Sequence, residues 1–449
     1  MKLKTIIASL ILLPLLGACN ISKPYTKPGV TFAEDKLLTC DTVDTSIPML
    51  PWNAMFLNPY LRSWIDIALT RNTDLWIAKT KIDEAAAVFH QSKLAFLPSL
   101  NVGADASTGV NQSSQFKIAP TASWEIDAFG KLSNAKQAAM ASAEASIAYE
   151  QAVKTELIAN VANGYYTLVM LNEQLSISER TLNTWEENIR VLQALKRAGR
   201  TNEAAVLQAR ANRLKVEGSV ATLKNQIMVQ ENAIRSLLLF PEMEIVKAEL
   251  ISEAFADSVP DGIGLKLVAN RPDVRQAEYN FKKCFYEVNM ARAAFYPSIT
   301  LSGSAGWSAV SGRIGSPSQW IANALGSIVA PLFNRGTLTK NLKVAEGELK
   351  IAYLQFQQTL FDAGMEVNNS LSDLQTAREK IKIDRKQVVA LKGAVHNTRL
   401  LMRNTNTNYL EVLTAQQRLL EAELAEANDR FNAVQAMITL YRALGGGVD

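Results

Sequence analysis

The side chains that most often carry out chemistry in enzymes are scarce and scattered in this chain. The only histidines, His90 and His396, lie far apart in the sequence. Glu186 and Glu187 form a pair of carboxylates, but neighbouring residues on a helix point in different directions, which favours a solvated face over acid and base catalysis. The sequence has no phosphate-binding loop, no Gly-x-Ser-x-Gly elbow and no cysteines or histidines at metal-ligand spacing. We therefore expect no enzymatic activity, no cofactor and no bound metal.

One cysteine near the N-terminus lies in a pattern typical of lipid modification. Residues 6–16 form an apolar core, interrupted only by Ser9 and Pro14, that is too short to span a bilayer and follows two lysines, as in a cleaved export signal. The next residues, Leu16-Gly17-Ala18-Cys19, resemble the lipobox of bacterial lipoproteins, in which the cysteine is acylated and becomes the mature N-terminus. Asn20 follows instead of the aspartate that favours inner-membrane retention in that class, so the resemblance implies the outer membrane. We predict a signal peptide over residues 1–18 and a lipid anchor on Cys19.

The composition is that of a large folded protein. Of the 449 residues, 48% are apolar and 20% are charged, so the chain can bury a sizeable core. The net charge of +4 falls to about +2 without the two lysines of the signal, which is too small to indicate a nucleic-acid partner. Cys40 and Cys284 are the other cysteines. They could pair in an oxidising compartment, or Cys284 could be a buried apolar residue, and the sequence leaves both interpretations open.

The distribution of proline predicts long helices. None of the 14 prolines lies between Pro120 and Pro241, and none follows Pro331. Both stretches are rich in strong helix formers, and Gly199 is the clearest break in the first. A helix from Lys131 to near Lys196 would be roughly 100 Å long, which implies coiled-coil packing.

Four segments have the alternation of apolar and polar residues that is typical of strands. They are residues 100–108, 116–126, 299–307 and, with a looser pattern, 320–329. Each has about the length of a tilted transmembrane strand, although a soluble sheet with one wet face would show the same alternation. In a membrane sheet we expect one set of side chains to face lipid and the other to face a lumen. The lipid-facing set is Phe116, Ile118, Trp124 and Trp307, and the lumen-facing set is Lys117 and Glu125.

An internal repeat organises these elements. Asn72-Thr73-Asp74-Leu75 matches Arg271-Pro272-Asp273-Val274, and Phe96-Leu97-Pro98-Ser99 matches Phe295-Tyr296-Pro297-Ser298, both at a shift of 199 residues. The shift grows to 206 residues where Val206-Leu207 matches Val412-Leu413. Each repeat therefore reads helix, strand, strand, long helix, helix. The expected domains are a lipidated extended segment (19–60), a first repeat (61–240), a connector in the equatorial region (241–268) and a second repeat (269–449).

Four strands in a membrane must join with strands from other chains. Lipid cannot satisfy the backbone groups at an open sheet edge, so the sheet must close into a barrel. Bacterial outer-membrane barrels have at least about eight strands, which makes two, three or four copies the simple choices. Long helices attached to such a barrel would form a tube.

The chain resembles the outer-membrane efflux protein family (TolC-like), in its lipoprotein branch. The resemblance rests on the repeat motifs above and on Asp127-Ala128-Phe129-Gly130-Lys131, Pro331-Leu332-Phe333-Asn334-Arg335-Gly336 and Tyr441-Arg442-Ala443-Leu444-Gly445-Gly446-Gly447. It implies a homotrimer with a twelve-stranded β-barrel, four strands per chain, that continues into a twelve-helix α-barrel. It also implies a periplasmic adaptor and an inner-membrane pump of the RND type as partners. The glycine run at the end is expected to be a frayed terminus.

The expected function is that of an outer-membrane exit duct for drugs or other small toxic compounds. The same duct would suit heavy-metal efflux or type I protein secretion; the methionines are scattered, which favours core packing over a metal relay. A periplasmic coiled-coil tether is a further alternative, but it leaves the paired strands unexplained.

Two helix turns are expected at the periplasmic tip. They lie near residues 196–200 and 402–406. In some members of the family, acidic residues near the second turn form a constricting ring, but residues 396–400 contain no carboxylate here. Basic residues stand at both turns instead. They would line the aperture or contact the adaptor, or else they are solvated or pair with glutamates on neighbouring helices. They are Arg197, Arg200, Arg399 and Arg403.

Overall fold

The structure is a computed structural model that describes residues 22–28, 51–109, 112–242, 245, 268–310, 319–404 and 409–446. The helices and strands, in chain order, are α1 (Trp52–Met55), α2 (Pro59–Arg71), α3 (Thr73–Leu94), β1 (Ser99–Gly109), β2 (Gln112–Ile126), α4 (Lys131–Arg197), α5 (Glu203–Leu238), α6 (Pro272–Ala293), β3 (Ser298–Val310), β4 (Gln319–Val329), α7 (Thr337–Asn404) and α8 (Tyr409–Ala443). Helix, two strands, long helix and helix thus occur twice in the same order. The predicted helix from Lys131 to near Lys196 and all four predicted strands are present.

The long helix α4 has clear start and stop signals. The Asp127 carboxylate accepts hydrogen bonds from the backbone N–H groups of Leu132 and Ser133, each at 2.8 Å, and so satisfies donors that the first turn leaves free. Gly199 ends the helix with a φ of +71°, a left-handed conformation that glycine adopts without a steric penalty. Asn202 then starts α5, because its Oδ1 accepts from the backbone N–H of Ala205 at 3.0 Å. These caps produce a tight turn between two long helices.

The four strands form one antiparallel sheet in the order β1-β2-β3-β4. In its register, Asp105 lies opposite Lys117, and Ile118 lies opposite Trp307. Among the described strands, β1 and β4 each have a hydrogen-bonded neighbour on one side only.

The chain divides into two compact units. The first contains the sheet and includes Ala78–Glu150 and Asp273–Thr359. The second is helical and includes Gln151–Pro272 and Leu360–Asp449.

The core of the helical unit is an apolar cluster with aromatic pairs at its centre. Phe56 packs edge-on against Tyr441, with ring centroids 5.9 Å apart, and Trp64 packs edge-on against Tyr165 at 5.3 Å. Burying such aromatic side chains contributes about 1.5 to 3 kcal/mol each. A second cluster around Trp185 lies nearer the helix turns.

The C-terminal glycine run is not frayed at Gly445 and Gly446, so that prediction is wrong for these two residues. The backbone N–H of Gly446 donates to the carbonyl of Tyr441 at 3.0 Å, and a Cβ on Gly446 would lie 2.6 Å from the Thr155 side chain.

Cys284 is a free, half-buried thiol whose pKa is raised by burial, and Cys40 lies outside the described residues.

Candidate functional site

The two faces of the sheet differ sharply in chemistry. Because side chains alternate along a strand, Phe116, Ile118 and Trp124 share one face of β2, while Lys117 and Glu125 share the other. Trp307 joins the first set, since it lies directly opposite Ile118 on β3. The predicted lipid-facing residues are thus together on one face, and the predicted lumen-facing residues are together on the other.

The apolar face is exposed within the chain. Ile118 is 44% exposed, Trp124 40% and Trp307 45%, and Leu100 on the edge strand reaches 79%. Exposing contiguous apolar area to water is unfavourable by about 25 cal/mol per Å². This face therefore requires an apolar environment that the chain itself does not supply within the described residues.

The polar face carries mostly hydroxyl and amide groups with a few charged groups, and on β4 it also includes Leu325 and Val329. Asp105 and Lys117 are directly opposed in the register, and Lys131 Nζ lies 2.9 Å from Glu125 Oε1. Trp124 belongs to the other face, and its indole N–H donates to the carbonyl of Phe96 at 2.9 Å, which fixes the ring at the end of the strand.

An N-terminal strap, Ser22–Pro28, lies against α6. Tyr25 packs edge-on against Phe285, with ring centroids 5.6 Å apart, and Lys27 forms an ion pair with Glu278 at 2.6 Å. Burial, with the nearby Glu278 carboxylate, raises the pKa of Tyr25 to about 12. Asn134, in the first turn of α4, donates to Ser22 Oγ at 2.6 Å. The predicted lipidation residue, Cys19, lies outside the described residues, three positions before this strap.

Basic residues surround the turn between α4 and α5. Arg197 and Arg200 are exposed there, and Lys196 forms an ion pair with Glu203 across the turn. The hydrogen bond from Lys196 holds the pKa of Glu203 below its usual value. Charge at this turn is therefore partly paired within the hairpin.

Arg399 is in a different environment from the arginines of the first turn. It is half-buried, and with the Gln416 amide oriented so that its oxygen faces the guanidinium, Arg399 donates to it at 2.9 and 3.2 Å. In the same orientation, the oxygen of the buried Gln416 amide also accepts from Asn188 Nδ2 on α4 at 2.7 Å. Arg399 thus takes part in a polar contact between helices. The side chain of Arg403 lies outside the described residues.

The helical unit contains a cluster of ion pairs that was not predicted from the sequence. Arg271 donates to the carbonyl of Ala443 at 2.9 Å and to Glu366 Oε2 at 2.8 Å. Arg442 donates to Glu156 Oε2 at 2.9 Å and also pairs with Glu366. Two of the motifs that carry the family resemblance, one at Arg271 and one at Tyr441–Gly447, therefore meet at Glu366. In the sequence, the only signal for this cluster was that both segments belong to the motifs of the family resemblance.

Neither a metal site nor a spanning helix is found in the described part of the chain. No group of three or more potential ligand side chains there could hold a metal ion. Among the same residues, no helix is both long enough and apolar enough to cross a membrane.

A repeated arrangement of long helices, joined to one antiparallel sheet with a bare apolar face, defines a class of mainly helical proteins that build channels in the outer membrane. The chain belongs to the outer membrane efflux protein family, whose model matches residues 64–238 and 265–446. The family resemblance drawn from the sequence is thereby confirmed, and the protein is an outer-membrane efflux channel.

Several relatives match over nearly their whole length. The chain is 27% identical to the probable outer membrane lipoprotein SilC of Salmonella typhimurium, over 99% of both chains. It is 26% identical to the cation efflux system protein CusC of Escherichia coli (strain K12), over 96% of this chain and 97% of CusC. The solved open state of the MtrE outer membrane channel of Neisseria gonorrhoeae superposes with a TM-score of 0.87 and 28% identity, over 96% of this chain and 99% of that one.

Proposed function

We propose that the protein is a homotrimeric exit duct of a tripartite efflux pump, with a passive channel and no catalysis of its own. Three copies would close a barrel of twelve strands, β1 of each chain pairing with β4 of the next. The observation that supports this most is the four-stranded sheet, which has one exposed apolar face and two edges with a neighbour on one side only. Closure would satisfy the edges, and lipid would cover the apolar face.

The rest of the chain has proposed roles in the same assembly. Acylated Cys19 would anchor the chain, with the strap leading from it onto α6. Residues 61–240 and 269–449 would be the two repeats, and residues 241–268 the equatorial connector. Twelve long helices would extend the barrel through the periplasm to an adaptor protein and an RND-type inner-membrane pump. Arg197 and Arg200 would contact that adaptor or line the aperture, as would Arg399 and Arg403.

The proposed cargo is drugs or other small toxic compounds. The alternative with most support is heavy-metal efflux, because CusC is by its name a cation efflux protein. The described residues hold no cluster of metal ligands, which fits a passive duct for either cargo. Protein secretion remains a third use of the same duct, and a lipid-anchored periplasmic tether is disfavoured by the bare apolar sheet face.

The test concerns both assembly and the orientation of the sheet. Protein purified in mild detergent should have the mass of three protomers. Ile118→Arg should prevent membrane insertion, because a charge on the lipid face costs about 2 to 4 kcal/mol near mid-membrane. Thr121→Arg, a matched control on the polar face of the same strand, should insert normally. A stable water-soluble monomer, or equal insertion of both variants, would contradict the proposal.

A further inference from the structure

The polar face of the sheet is almost free of net charge. Its described side chains on β1, β3 and β4 are largely hydroxyl and amide groups, including Asn101, Thr300, Ser302, Ser304, Asn323 and Ser327. Within the described side chains of this face, the charged groups are Asp105, Lys117 and Glu125. A face of this kind can donate and accept hydrogen bonds with a solute of either sign.

Each charge on this face has an opposite charge beside it. Asp105 lies directly across from Lys117 in the antiparallel register, where Cβ atoms are about 4.5 to 5.5 Å apart. Glu125 pairs with Lys131 at 2.9 Å. Two carboxylates are thus matched by two ammonium groups, and the described part of the face has no net charge once Lys131 at the start of α4 is counted.

The middle row of the same face is uncharged. Gly103 lies opposite Ala119, and Gly306 packs so closely against β2 that a Cβ would lie 2.2 Å from the carbonyl oxygen of Ile118. On β4 the row continues with Ile321, which lies opposite Gly306. The neighbouring row, with Asp105 and Lys117, therefore presents charged side chains to a solute in the lumen.

We propose that compensated charge makes the sheet section of the duct indifferent to the charge of its cargo. This rests on the proposed trimeric barrel, in which the polar face lines the lumen. Three Asp105–Lys117 pairs around the wall would give alternating signs and no net field, and their local fields would fade within a Debye length of about 8 Å at physiological salt. Cationic, anionic and neutral small molecules would pass this section alike, so the cargo is not restricted to metal cations. Any charge selection belongs to the helical part.

Single-channel recording in planar bilayers under a KCl gradient tests this proposal. Asp105→Asn leaves three uncompensated ammonium groups, so the reversal potential should shift toward anion preference relative to wild type. Lys117→Gln leaves three carboxylates and should shift it toward cation preference. The double variant should return to the wild-type value. Ala104→Ser, a neutral exchange on the opposite, apolar face of the same strand as Asp105, is the control and should leave the potential unchanged.

The outcomes separate this inference from the proposed function. Absence of channels, or of a trimeric mass in detergent, would overturn the barrel itself. If channels form but either single variant leaves the reversal potential unchanged, or the double variant does not restore it, charge compensation between Asp105 and Lys117 is wrong.

Discussion

In both repeats, a side chain near the start donates a hydrogen bond to a backbone carbonyl in the last helix, but the donor is an amide in one and a guanidinium in the other. In the first, Asn72 Nδ2 donates to the carbonyl of Leu237 at 3.2 Å; in the second, Arg271 donates to the carbonyl of Ala443 at 2.9 Å. Asn72 and Arg271 are equivalent at the 199-residue shift, and Leu237 and Ala443 are equivalent at the 206-residue shift. A side chain that begins each repeat thus satisfies a backbone acceptor in the last turns of its closing helix.

The closing helices differ in a second place. Leu223 on α5 is buried in the apolar core, whereas its equivalent on α8 at the 206-residue shift, Asp429, is buried beside Lys380 Nζ at 2.6 Å. The Asp384 carboxylate on α7 also lies against Asp429 and is buried. The ion pairs between α4 and α5 in the first repeat, such as Lys224–Glu179 at 3.1 Å, are largely exposed. The second repeat has buried charges, including Arg271 and Asp429, and its stability should respond to pH and to the loss of single ions.

The largest effect is expected at Arg271, because its guanidinium is buried and serves two acceptors. Arg271→Met should lower the free energy of unfolding by about 3 kcal/mol, since Glu366 loses one of its two arginine partners and the Ala443 carbonyl loses its donor. Thermal unfolding in detergent, followed by circular dichroism, measures the change. Arg271→Lys keeps the positive charge but not the guanidinium geometry that reaches both acceptors, so its stability should lie between those of wild type and Arg271→Met. A Met variant as stable as wild type would mean that the ion cluster does not close the second repeat.

A smaller loss is expected at the equivalent residue of the first repeat. Asn72 Oδ1 also caps α3 by accepting from the backbone N–H groups of Asp74 at 2.9 Å and Leu75 at 3.2 Å. Asn72→Ala should therefore lower the free energy of unfolding by about 1 to 2 kcal/mol in the same measurement. Asn72→Ser keeps a capping oxygen but loses the donor to Leu237, and should cost less. A loss for Asn72→Ala as large as that for Arg271→Met would erase the proposed difference between the repeats.

The smallest expected effect is that of pH on stability, and it should come from two buried carboxylates of the second repeat, Asp384 and Asp429. Burial, together with Asp429, raises the pKa of Asp384. Burial also acts to raise the pKa of Asp429, but hydrogen bonds from Lys380 and other neighbours outweigh it and hold that pKa below its usual value. Glu426, paired with Arg385, adds negative charge beside Asp384.

The direction of the pH effect follows from these two shifts. Ionised Asp384 is unfavourable at neutral pH, so stability should rise as the pH falls through its raised pKa. Asp429 contributes stability above the usual aspartate pKa of 3.8, and this is lost as the pH falls through its lowered value. Melting temperatures between pH 7 and pH 3 should therefore pass through a maximum at mildly acidic pH. Asp384→Asn should remove the rise but keep the fall, and an unchanged rise in that variant would contradict this assignment.

Local pattern in the sequence determined the elements of this protein and much of its class. The absence of proline predicted α4, the period of two predicted the four strands and their faces, and the repeated motifs predicted the repeated order. These features depend on residues close together in the chain, whose preferences act whatever the rest of the molecule does. The motifs also carried the resemblance to the efflux family.

Only the tertiary structure decided what joins distant segments. Arg271 and Ala443 meet although they are 172 residues apart, and no spacing rule predicts such a contact. The glycine run suggested a frayed end, but Thr155 leaves no room for a Cβ at Gly446, so glycine is required there by packing. Arg399 was predicted from sequence to lie at the aperture or the adaptor contact, and the tertiary structure adds a partner for it, the buried Gln416 amide when its oxygen faces the guanidinium. The physical reason is common to all three: a side chain's partners are set by which helices pack together, and that packing is a property of the whole fold.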